Sequence, residues 1–109
     1  MSTHIWFHEQ MNTVEYPTGN LYYGELSDGR RHGFGFMLYN RGGNYEGYWK
    51  RGKKHGTGTR VYNTGDVYRG NFRKGLRHGK GECRWKGDDT FYDLRWNRNE
   101  IVEKQNTHA

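Results

Sequence analysis

The chain has 109 residues, and 31% hydrophobic content is low for a domain that must build a globular core. Aromatic residues nonetheless reach 17%, and there are 17 Gly against one Pro, which excludes a disordered chain and points to short strands joined by tight turns. The single cysteine, Cys83, excludes an internal disulfide, and the net charge of +6 calls for an acidic or anionic partner.

In chain order, residues 1–11 stand outside any repeat and carry Ile5, Trp6, Phe7 and Met11. They lack the apolar core of a secretion signal and the Gly at position 2 that myristoylation needs, so a cytoplasmic location is expected. No run approaches the roughly 18 apolar residues of a membrane-spanning helix.

From residue 12 onward a 23-residue step governs the chain. Tyr22, Tyr45, Tyr68 and Phe91 keep it, as do Gly24, Gly47 and Gly70, and Gly29, Gly52 and Gly75. So do the pairs His32-Gly33, His55-Gly56 and His78-Gly79, the series Gly35, Gly58 and Gly81, and the series Tyr16, Tyr39, Tyr62 and Trp85. Residues 12–21 read as the second strand of an incomplete unit. Complete units follow at 22–44, 45–67 and 68–90. In the second of these, Tyr45, Gly47 and Trp49 alternate along one strand, and Gly56, Gly58, Arg60 and Tyr62 along the next. Lys50 to Lys54 form the turn between them, and Asn63-Thr64-Gly65-Asp66 form the turn that follows. A helix is excluded, because each interior Gly would cost about 1 kcal/mol. Residues 91–96 begin one more unit in which Asp93 replaces Gly and the aromatic slides to Trp96, which implies a one-residue bulge or a cap. Residues 97–109 form a polar tail around Ile101 and Val102, read as a flexible end or an extension that orders on a partner.

These motifs resemble the MORN repeat, whose unit is YxGxW…GxxHGxG…Y..G. The resemblance covers about residues 12–96. It implies an all-β protein, an elongated twisted antiparallel sheet of tandem β-hairpins that lengthens by one hairpin per repeat. It also implies a scaffold at cytoskeletal structures, in cilia or at membrane contact sites. Members with an enzymatic activity carry a separate domain, for which this chain has no room.

The expected sheet of about eight strands, spaced about 4.8 Å apart, is roughly 34 Å long. One face holds Tyr22, Leu26, Tyr45, Trp49, Tyr68 and Phe72, with Tyr39, Tyr62 and Trp85 from the returning strands, and is read as the core. The other face changes along the chain. Tyr23, Phe34, Phe36, Leu38 and Tyr48 make an apolar patch in the N-terminal half, and Arg69, Asn71, Lys80, Glu82 and Arg84 make a charged region further on. Such a patch marks a contact site unless residues 1–11 fold back over it. The turns gather Arg30, Arg31, Lys50, Arg51, Lys53, Lys54, Arg73, Lys74 and Arg77 into a basic ridge, half of the 18 Lys and Arg residues. A ridge of this kind suits a row of negative charge, with binding that weakens as salt rises.

His32, His55 and His78 recur about 10 Å apart and cannot converge on one metal ion, so they are read as structural, each ring bonding a neighbouring turn. Cys83 has no nucleophile motif around it and is read as a packing residue, and the Gly-x-Gly pairs precede no helix and hold no phosphate. No enzyme activity, metal or cofactor is expected. Nucleic acid is disfavoured because the aromatics fall on the packed face rather than beside the basic turns. The expected function is a structural or adaptor protein docking on other proteins of a cytoskeletal assembly, the axoneme of a cilium or flagellum above all, where an acidic partner would meet the ridge. The alternative is a peripheral module binding anionic phospholipid. Pairing of two copies into a homodimer through their sheets stays open.

Overall fold

The computed structural model describes residues 11–105. Nine strands form one antiparallel sheet in strict chain order, open at both ends: β1 (Asn12–Glu15), β2 (Leu21–Ser27), β3 (Arg30–Leu38), β4 (Gly43–Lys50), β5 (Lys53–Tyr62), β6 (Val67–Arg73), β7 (Leu76–Arg84), β8 (Tyr92–Asn97) and β9 (Glu100–Gln105). The molecule measures 45 × 34 × 25 Å. Among the described residues no helix is long and apolar enough to cross a membrane.

Two kinds of turn alternate. At one end of the sheet lie two-residue turns, Asp28-Gly29, Arg51-Gly52, Lys74-Gly75 and Arg98-Asn99, in which both residues have positive φ. This is the geometry of a type I′ turn, whose twist matches that of the strands it joins. Gly relieves the strain at the second position of the first three turns, and Asn99, at φ 70°, replaces it in the last. At the other end, the carbonyls of Tyr16, Tyr39 and Tyr62 each accept from a turn amide three residues on, as in Gly42 N to Tyr39 O at 2.9 Å and Gly65 N to Tyr62 O at 2.9 Å.

The three His-Gly pairs break the ladder in the same way. Gly47 pairs with Gly58 and Trp49 with Lys54, so β5 carries two more residues than β4 over this stretch. The same shift falls between Gly24 and Leu26 and between Gly70 and Phe72. Gly33, Gly56 and Gly79 adopt φ of 85°, 89° and 78° inside these bulges, which sharpen the local bend.

A single sheet buries a core because its rings lie down on it. Tyr22, Tyr45 and Tyr68 are wholly buried. Each covers a pair of facing glycines, Gly24/Gly35, Gly47/Gly58 and Gly70/Gly81, where an added methyl would overlap the ring. Each hydroxyl then donates to a backbone carbonyl three residues on: Glu25 O at 2.8 Å, Tyr48 O at 2.8 Å and Asn71 O at 2.7 Å. Trp49, Phe72 and Trp96 meet these tyrosines edge-on at centroid distances of 5.0–5.7 Å, which makes one continuous aromatic row. Met37, Cys83 and Leu94 fill the remaining core, with Leu26, Tyr39 and Tyr62 packed against it.

Three expectations need correction. Trp85 stands where Tyr39 and Tyr62 stand but is 42% exposed and outside the core, and among the described residues no cation stacks on it as Arg60 and Arg77 stack on those tyrosines. Phe91 does not continue the tyrosine series. Cys83 pairs with Tyr92 and Gly79 with Trp96, matching Met37 with Tyr45 and Gly33 with Trp49, so the extra residue sits in the loop before β8 rather than in a bulge. The segment after Trp96 is more than a tail, since β9 pairs with β8 from Asn97↔Glu100 to Asp93↔Gln105.

Candidate functional site

The outer face carries the apolar cluster. Tyr23 faces Phe36 across β2 and β3, and Leu21 faces Leu38 one step away. Phe34 faces Tyr48 across β3 and β4, ring edge to ring face at 5.4 Å. Tyr48 is 49% exposed, Leu38 46% and Leu21 39%, while Tyr23, Phe34 and Phe36 are half-buried by one another. All five expected patch residues therefore lie together, and Leu21 joins them. Its place was legible in the alternation from Tyr23. The cover expected from residues 1–11 concerns a segment that, up to residue 10, lies outside the described residues.

Further along the same face the chemistry changes. Arg69 pairs with Glu82 at 2.6 Å, both side chains being well exposed. The same guanidinium lies 3.6 Å from the Phe91 ring centroid. This charge pair contributes under about 1 kcal/mol in so exposed a setting.

The nine ridge residues divide into two groups. Arg30, Lys50, Arg51, Lys53, Arg73 and Lys74 are exposed at the type I′ turns, and Arg98 extends them by one unit. Arg31, Lys54 and Arg77 are not on the ridge. They pair with Leu26, Trp49 and Phe72 of the core and so point to the core face. The Arg31 guanidinium lies 4.7 Å above the Trp49 ring and donates to Gly52 O at 2.6 Å. The Lys54 ammonium lies 5.8 Å from both Tyr45 and Phe72. Arg77 lies 4.3 Å above Trp96 and bonds the Asn99 side chain and the Tyr62 hydroxyl. A fourth cation, Arg60, is held between Tyr39 at 4.2 Å and Tyr62 at 4.6 Å. These stacked cations cap the aromatic row and account for its burial under a single layer.

The repeats are tied through the same column. The amides of Gly52, Gly75 and Asn99 donate to the carbonyls of Arg31, Lys54 and Arg77 in the preceding unit, at 2.8, 2.8 and 2.9 Å. His32 Nδ1 and His55 Nδ1 accept from the amides of Arg51 and Lys74, at the long distances of 3.4 and 3.5 Å. Burial, then the charges of Lys50, Arg73 and Lys74, holds the His55 ring below its usual imidazole value, which favours the neutral, accepting form.

Among the described residues no group of three His, Cys, Asp or Glu side chains could hold a metal ion. Cys83 is 1% exposed in the core, and burial pushes its thiol up to about 11, which leaves it a packing residue.

Comparison with known proteins agrees with this architecture. The MORN repeat family matches residues 22–44, 45–67 and 68–90, more than half of the chain and the same units that the 23-residue step marks out. No curated protein matches it. Repeats of this kind are found generally in scaffolds that bind proteins or membranes.

Proposed function

Since the chain belongs to the MORN-repeat family, we propose that it is a non-enzymatic adaptor that docks on a larger protein assembly, a cytoskeletal one such as the axoneme of a cilium or flagellum. The observation that carries this reading is the outer face. Leu38 and Tyr48 are exposed, and Tyr23, Phe34 and Phe36 half-buried, on one half of a sheet whose core lies on the other face. Beside this patch runs the row of exposed turns, Lys50-Arg51, Lys53, Arg73-Lys74 and Arg98, which suits an acidic partner. A patch with an adjoining cationic row resembles an interface with an apolar centre and a charged rim.

The test is extraction of cells with non-ionic detergent at moderate salt. The protein is expected in the insoluble cytoskeletal fraction, and Phe34→Ser with Phe36→Ser is expected to release it. Full release of the unmodified protein by detergent would sink the assembly reading. The membrane reading draws on the same cations, each worth roughly 1 kcal/mol beside an anionic leaflet. The two residues of each of these turns, Arg51-Gly52, Lys74-Gly75 and Arg98-Asn99, include no apolar side chain to insert into a leaflet. Charge reversal of Lys50, Arg51 and Lys53 to Glu separates the two: it abolishes sedimentation with anionic vesicles if lipid is the partner, and only weakens a complex that also uses Phe34 and Phe36.

A further inference from the structure

The core face holds four cations and, among the described residues, no carboxylate paired with any of them. The one ion pair among the described residues is on the outer face, between Arg69 and Glu82. Arg31 and Arg77 satisfy part of their guanidinium with carbonyl, amide or phenol oxygens. Among the described residues no hydrogen-bond acceptor reaches the Lys54 ammonium, and Arg31 Nε is buried without one. Burial, then the nearby charges of Arg60 and Arg31, holds the Lys54 ammonium down at about 8. An ammonium in this position is only partly hydrated and, among the described residues, has no counter-ion.

Around it the sheet coils into an open groove of about 580 Å³. Tyr16, beside the turn between β1 and β2, lines one wall, and Lys74 and Leu76, at the turn between β6 and β7, line the other. These turns lie at opposite ends of the strands, so the groove runs obliquely over the core. Trp49, Arg31 and Lys54 line it between them.

We propose that this recess receives the carboxylate of an acidic segment of a partner polypeptide, flanked in that partner by apolar residues. The proposal rests on the adaptor reading above and gives it a second contact, on the face opposite the apolar patch. A carboxylate beside the Lys54 ammonium would supply the missing acceptor and offset the repulsion from Arg31 and Arg60. Apolar neighbours of that carboxylate would lie against Tyr16, Trp49 and Leu76. A polypeptide fits better than a bilayer because the cations are withdrawn among rings between two rims, where a side chain reaches and a flat headgroup surface does not.

The experiment follows the Lys54 side chain by NMR in the full-length protein, titrated with pH in the absence and presence of a blocked decapeptide of alternating Glu and Leu. The Lys54 midpoint is expected to rise by at least one pH unit with this peptide, and not with its Gln-Leu counterpart. Lys54→Met, which keeps the stem over Tyr45 and Phe72, is expected to weaken peptide binding at least tenfold, and Lys54→Arg by no more than threefold. An unmoved midpoint overturns the proposal, as does undiminished binding by Lys54→Met. A midpoint that rises equally with inorganic phosphate or with anionic vesicles overturns the assignment to a polypeptide. The Phe34→Ser, Phe36→Ser variant in the detergent assay reads the outer face and the Lys54 midpoint reads the recess, so release of the unmodified protein with a shifted Lys54 midpoint overturns the adaptor reading and leaves the recess standing. Retention with an unmoved midpoint does the opposite.

Discussion

The three complete repeats and the last hairpin solve one packing problem in two ways. In the repeats, a tyrosine lies flat over two facing glycines and its hydroxyl closes onto a carbonyl three residues on. In the last unit, Leu94 stands in the glycine column opposite Gly81 and is itself buried. The place over the backbone is then taken, and Tyr92 stays half-buried with its hydroxyl 3.2 Å from Asp88 Oδ2. On the far side, Lys104 pairs with Leu94, so β9 offers no glycine to a following tyrosine. Glycine in these strands is therefore a requirement of the ring above it rather than of the strand, and its loss writes the end of the array.

Truncation of the tyrosines tests this difference most strongly. Tyr45→Ala removes a fully buried ring that touches Trp49 and Phe72, and is expected to cost about 3–5 kcal/mol. Tyr92→Ala is expected to cost less than half as much. Urea titrations of both variants decide it, and equal losses would remove the distinction between repeat and cap. Next comes Gly58→Ala. The new methyl would overlap the Tyr45 ring, so a loss of about 1–3 kcal/mol is expected, with a near-ultraviolet circular dichroism change as the ring is displaced. Gly75→Ala separates sterics from backbone, because nothing lies within 4 Å of a methyl there while φ is 87°. A cost of about 1 kcal/mol is expected, seen as a fall of about 4–8 °C in Tm.

The smallest effect concerns pH. The folded state favours neutral His55, whose value is depressed from its ordinary 6.5. Its contribution is complete above 6.5 and is lost as pH falls through the lower folded value. Because the ring is largely solvated the loss is slight. It is expected to vanish in His55→Asn, where Tm measured from pH 7 to pH 5 should lose that component of its slope.

The 23-residue step exposed the hairpin array, both faces of the sheet and the outer patch, because a strand's two-residue alternation and a fixed repeat leave little freedom. It exposed less where the period itself changed. One added residue before β8 moved the tyrosine position from Phe91 to Tyr92, and the sequence offers two adjacent aromatics from which to choose. Arg31, Lys54 and Arg77 stand next to the turn cations in sequence, yet each lies across from a core residue, Leu26, Trp49 or Phe72. The two-residue turn Arg51-Gly52 leaves Lys53 and Lys54 already on β5, one pointing out and one in. Charge proximity in sequence concealed a division that the pleat enforces.

The order of the nine strands in the sheet is their order in the chain. Every pairing is thus between segments joined by a few residues, which keeps the contact order low and lets folding nucleate in any hairpin and spread in both directions. The same arrangement has a mechanical meaning. Tension applied between the two ends of this sheet would peel hairpins away one after another from the edges, each giving up a short length of chain, so a protein stretched between two attachment points would yield in steps and reform in steps.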